Sequence, residues 1–251
     1  MKSVILAIIL IAMSACGQFA LKACRPGAAP AVAESAIAAL GGLRSLAAEV
    51  LWFRADRLRM ECRYVELAQL ASWLTFMEPH TPEVWTYSAW NLAYNISVMM
   101  PTFEDRWRWV HAALKLLRDE GLVLNPHEVE IYRELAWMFQ LKIGGRLDDA
   151  APLYRRRWRE IVDDVSARNA WSELGMRPGL MDEVRRKYRL PESCSWTDPL
   201  LSAIYWADQG LAYATVEKDR SFLMELLRQS LHMIFNREES LKREMAKGVG
   251  A

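Results

Sequence analysis

The chain has 251 residues, 52% of them hydrophobic, enough to bury a large core in one domain or one continuous array. Glycine (12) and proline (10) are too scarce for a many-turned β protein, while abundant Ala, Leu, Glu, Arg and Met favour helix. A formal charge of +1 excludes a strong electrostatic grip on a polyanion, so nucleic acid is not an expected partner.

Residues 1–24 read as a targeting or anchoring element that stands apart from the fold. Lys2 precedes a mostly apolar run from Val4 to Leu21, just long enough for one membrane-spanning helix. Met13-Ser14-Ala15-Cys16 is also similar to a bacterial lipobox, which would make Cys16 the lipidated N-terminus. Ordinary cleaved export is the third reading. Lys2 and the amino terminus balance Lys22 and Arg25, so charge does not fix the orientation. The position at the extreme N-terminus favours export, with the helical body outside the cytoplasm at a bacterial envelope. Residues 25–43 form an Ala/Pro linker and lead-in. No pair of the four cysteines has CxxC spacing, so neither a metal site nor any other cofactor is expected. Cys62 and Cys194 are expected as buried free thiols, with a single disulfide between them as the alternative.

Residues 44–162 carry a recurring pattern. Leu46 to Met60 reads as a helix with Leu46, Val50, Phe53 and Met60 as its apolar stripe, interrupted by Arg57. Glu61-Cys62-Arg63 turns, Tyr64 to Phe76 returns, and Glu78-Pro79 ends the pair. Thr81-Pro82 opens the next helix, which carries Trp85, Ala89, Leu92 and Ile96. Thr102 and Asp105 are spaced as a capping box for a partner helix running to about Asp119. Asn125-Pro126 with Glu128 starts a third pair, Val129 to Lys142 and Asp148 to about Val162.

In each copy a bulky residue is followed by Ala four places later: Leu51/Ala55, Trp85/Ala89 and Tyr132/Ala136. Gly145, Ala150 and Tyr154 complete the third copy, and Tyr64, Ala71 and Pro79 the first, where Cys62 stands for the turn glycine and Leu67 for a small residue. These residues resemble the tetratricopeptide repeat family, and the chain is similar to poorly characterised bacterial membrane-anchored proteins of that kind. The resemblance implies an all-α fold, a right-handed superhelix of helical hairpins preceded by a hydrophobic N-terminal segment. Pro79 to Pro126 spans 47 residues against about 34 for a standard repeat, so insertions are expected near Val98–Trp107 and Gly121–Val123. Residues 163–240 read as degenerate hairpins capping the array, with Asp198-Pro199 opening one helix and Phe222 to Phe235 lining the last. Residues 241–251 read as a tail.

Carried over from the resemblance, the first helices of the hairpins place Trp52, Asp56, Trp90, Tyr94, Arg133, Trp137 and Gln140 on a concave groove for a protein or peptide partner. The four histidines are scattered, and no nucleophile elbow, P-loop or dinucleotide fingerprint occurs, so no catalytic residue is assigned. Arg155-Arg156-Arg157-Trp158-Arg159 and Arg185-Arg186-Lys187 read as solvated faces paired with Asp163, Asp164 and Asp182. The leading expectation is a membrane-tethered adaptor that is not an enzyme. The alternative is an envelope enzyme or glycan-binding protein using the aromatic groove with Glu83, Glu130 and Glu134.

Overall fold

A computed structural model describes residues 46–146 and 148–248, and every regular element among them is helical. The expected lipidation site Cys16, the run Val4–Leu21 and Leu147 of the third turn lie outside the described residues. Among the described residues no helix is long and apolar enough to cross a membrane. The chain divides into two compact units, Met1–Glu61 and Cys62–Ala251, so the two arms of the first expected hairpin fall in different units.

In the first unit, helix α1 covers residues 46–60. Its buried residues are Ala48, Ala55 and Leu58, whereas Leu46, Val50, Phe53 and Met60 are all strongly exposed. The expected core stripe is therefore the outer face. Periodicity reveals that a helix has an apolar side, but small residues that permit close packing decide which side is covered.

In the second unit, α2 is Tyr64–Met77, which buries Leu67, Leu70, Ala71 and Leu74. Pro82–Trp90 begins α3, which continues through Asn91–Ile96 to Ser97–Met99. Phe103–Lys115 begins α4, which continues through Leu116–Gly121 to Leu122–Leu124, and Val129–Trp137 begins α5, which continues through Met138–Ile143. The middle segment of α3, the middle segment of α4 and the end of α5 are wide π-turns. Ser97 N–H donates to Leu92 C=O, Leu122 N–H to Leu117 C=O, and Gly144 N–H to Phe139 C=O, each five residues back. The residues expected as insertions thus sit largely in longer helices. One extra residue per π-turn leaves the apolar spacing nearly unchanged, and a sequence pattern cannot see it.

The capping box forms: Thr102 Oγ1 accepts from Asp105 N–H (3.1 Å) and donates to Asp105 Oδ2 (2.6 Å). At the other two starts the expected caps are absent. Thr81 makes no side-chain cap, although Pro82 does occupy the first turn. Asn125 instead donates to Pro79 C=O (2.8 Å) and Gly121 C=O (3.1 Å), tying one inter-hairpin turn to the previous one.

The bulky residue of each copy has a polar task besides packing. Trp85 Nε1–H donates to Pro79 C=O (2.9 Å), and the Tyr132 hydroxyl donates to Pro126 C=O (2.8 Å), in both cases six residues back. Ala89 and Ala136 are fully buried. The repeat read from spelling is therefore a repeat of geometry in these two copies.

Ala151–Ala167 forms α6, Pro178–Lys187 forms α7, Pro199–Leu211 forms α8 and Glu217–Gly248 forms α9. Asp198 caps α8 by accepting from Leu200 N–H (3.0 Å). Within this unit α2 packs on α3, α3 on α4 and α5, α5 on α8, and α8 on α9. Gly210 lets α8 meet α5, because a Cβ there would stand 2.8 Å from Tyr132 Cβ. Cys194 is partly buried and Cys62 exposed; both are free, which replaces the expectation of two buried thiols and of a disulfide.

Candidate functional site

Trp90 and Tyr94 stack with ring centroids 4.1 Å apart, and Trp90 remains 43% exposed. Tyr94 lies on the π-turn of α3. Its other neighbour is Lys142, on the π-turn of α5, whose Nζ stands 5.2 Å from the Tyr94 ring centroid. Single π-turns concentrate at functional sites because they re-aim side chains out of the regular helical frame.

Two polar atoms in this region are buried without a hydrogen-bond partner, the Tyr94 hydroxyl and Glu134 Oε1. Unpaired buried polar atoms are costly, so each calls for an explanation. Burial raises the Tyr94 pKa, and the nearby Glu134 carboxylate raises it further. The Trp137 side chain lies beside the hydroxyl without the alignment a hydrogen bond requires. Burial also pushes Glu134 up to about 7, against the pull of Arg133. Glu130 is raised by burial too, with Glu83, Asp219 and Glu128 adding repulsion and Arg133 opposing it.

Beneath the aromatic pair, Lys142 Nζ is 2.6 Å from Asp148 Oδ2, and both side chains are almost fully shielded. Asp148 Oδ1 accepts from Ala150 N–H (2.9 Å), and its other oxygen accepts from the Tyr154 hydroxyl (3.3 Å). Burial opposes ionisation of Asp148, but hydrogen bonds from Lys142 and Ala150 outweigh it and hold the carboxyl below its ordinary range. Asp148 was legible only as a helix-start carboxylate. Nothing in the spacing signals that it is the counter-ion of a buried lysine six residues earlier.

The remaining expected groove residues separate. Trp52, partly buried, and Asp56, paired with Arg59 at 2.5 Å, belong to α1 in the other unit. Arg133, Trp137 and Gln140 are covered by the chain's own α9. Arg133 pairs with Asp219 (2.7 Å) and lies 5.6 Å over the Phe222 ring. Trp137 packs on Phe222 with centroids 5.5 Å apart. Gln140 is 2% exposed and donates to Leu226 C=O and Ser230 Oγ, both at 2.9 Å. These three residues hold a helix in place, and Gln140 has no free donor left for a ligand on that side. The face that remains open is Trp90, Tyr94 and Glu134.

The basic runs are spent on the fold with partners other than those expected. Arg157 grips Glu104 (2.7 Å) and Glu160 (2.8 Å), Arg155 donates to Gly145 C=O (2.8 Å), and Asp164 is taken by Arg168 (2.6 Å). Arg185 closes the turn before α8 through the carbonyls of Pro191 and Cys194, both at 2.9 Å. A separate open cavity of about 500 Å³ lies between α4 and α6. Its Arg118 and Arg168 are neutralised within the lining by Asp119, Asp164 and Glu173. Among the described residues no group of His, Cys, Asp and Glu is arranged to hold a metal ion.

This combination defines an all-α protein with an aromatic and acidic face built around two unsatisfied polar atoms. Compared with protein-family models, curated proteins and solved structures, the chain matches none.

Proposed function

We propose that the protein is a membrane-tethered helical adaptor that holds a partner protein or peptide at the bacterial envelope. Its helices are read as hairpins of the tetratricopeptide type stacked in a right-handed superhelix. Supporting that stacking are the matching ties Trp85 to Pro79 and Tyr132 to Pro126 and the neighbour-to-neighbour packing from α2 to α9. One observation carries the binding function. The Tyr94 hydroxyl and Glu134 Oε1 are buried and unpaired next to an exposed, stacked Trp90, which is an incomplete polar site with an aromatic wall.

The tether is read from the run Val4–Leu21 with Cys16 as the lipidation candidate, and the domain is placed outside the cytoplasm. The exposed Leu46, Val50, Phe53 and Met60 of α1 suit a surface close to lipid, because an apolar helix face can lie in the interfacial layer.

A photo-crosslinking amino acid at position 90, carried by the full chain in its own membranes, tests the adaptor. A discrete crosslinked product from position 90 and none from the outward-facing position 159 is the expected result. Identical products from both positions, or none from either, would refute it. The alternative reading, an envelope enzyme or glycan-binding protein, gains from the carboxyl of Glu134 lying near neutrality. It requires a soluble glycan to raise the melting temperature of the wild type and not of Glu134→Gln.

A further inference from the structure

We infer that the open face formed by Trp90, Tyr94 and Glu134 receives a cationic side chain, a lysine or arginine of the partner peptide. This rests on the adaptor reading and adds the chemistry of the ligand. The charged head sits on Glu134 and the Tyr94 hydroxyl, and the aliphatic stem runs along the exposed surface of Trp90.

The argument begins with what the two unpaired atoms lack. An ionised carboxylate only accepts hydrogen bonds, and a tyrosine oxygen accepts readily, so the missing component is a donor. The protein's own cations nearby are committed elsewhere. Lys142 is held by Asp148 at 2.6 Å, and Arg133 by Asp219 at 2.7 Å with Glu130 at 3.8 Å. Arg133 acts on Glu134 through space without bonding to Oε1.

The surroundings select charge as well as donors. Glu83, Glu130 and Asp219 all act on this region, and their mutual repulsion is offset chiefly by Arg133. An anionic ligand would add to that repulsion, and a neutral amide would leave Glu134 without a counter-charge. A cation relieves both, and an aromatic face adds attraction to it. Lys142 shows that this neighbourhood tolerates the arrangement, since its own ammonium lies against the Tyr94 ring.

The test uses random dodecapeptides displayed on phage and selected on the immobilised full chain in detergent, with subtraction on Trp90→Ala. Each basic residue in the selected peptides is then replaced by norleucine or citrulline, and Kd is measured on wild type and on Glu134→Gln. One basic position is expected whose replacement weakens binding at least tenfold on wild type and less than twofold on Glu134→Gln. Tyr94→Phe, which keeps the ring, should show a smaller loss of the same preference. Trp90-dependent binders with no basic residue, or an equal penalty on Glu134→Gln, would overturn the cation site while leaving the adaptor standing. If no selected peptide depends on Trp90, the adaptor reading falls and the cation site with it.

Discussion

Lys142 Nζ lies 2.6 Å from the Asp148 carboxylate, with the lysine side chain 5% exposed and the aspartate 10%. Replacing one member of such a pair strands the other charge in a dry interior. Lys142→Met is expected to cost about 3–5 kcal/mol by urea denaturation. A cost below about 1 kcal/mol would show that water reaches the pair. The pH dependence follows from the lowered carboxyl of Asp148. Its contribution is complete above the ordinary carboxylate range and is lost as pH falls through the lower folded value. That acid-labile component should vanish in Lys142→Met.

Glu134 acts in the opposite sense. Its folded value of about 7 lies above its ordinary 4.5, so its contribution is intact below about 4.5 and is lost as pH rises through 7. The loss is at most about 1.4 kcal/mol per pH unit across that window. Glu134→Gln should therefore unfold at higher urea than wild type at pH 8, with the gap narrowing steadily down to pH 5. Parallel stability curves for the two proteins would remove the argument.

Cys62 turns the chain into α2 with φ of +56°, in the left-handed region. That region costs a residue with a Cβ about 1–2 kcal/mol, whereas glycine enters it freely at an entropic cost of about 0.5–1 kcal/mol. Cys62→Gly should raise the melting temperature modestly and Cys62→Val lower it. The reverse order would mean that the turn relaxes on substitution.

Gln140 anchors α9 through the Leu226 carbonyl and the Ser230 hydroxyl. Gln140→Leu leaves both without their donor, at an expected cost of about 1–3 kcal/mol. Hydrogen exchange should locate the effect, with amides near 226–230 losing protection more than those of α2. Uniform loss throughout the chain would indicate that α9 unfolds only with the whole domain.

Much of the fold was legible where the signal is local. The Thr102–Asp105 box, the return helix from Tyr64 and the Asp198 cap depend on residues a few places apart. The repeat was legible too, because Trp85 and Tyr132 sit at matching distances from Pro79 and Pro126. Half of the expected groove was not. Arg133, Trp137 and Gln140 meet partners 85 to 90 positions later on α9, and a helix stripe does not name its partner. The outward face of α1 failed for a related reason, since Ala48 and Ala55 carry little hydropathy yet are the residues that become buried.

The π-turn that holds Tyr94 fixes more than one contact. A turn closed five residues back is wider, so side chains four apart come nearly above one another, which is how Tyr94 meets Trp90 ring to ring. The orientation of everything beyond it, Ile96 and Ser97 included, then depends on a count of residues and not on their identities. Loss or gain of a single position in 91–96 would exchange the side chains α3 shows to its neighbours while leaving composition almost untouched. Length, in this helix, is a variable through which binding character can change in one step.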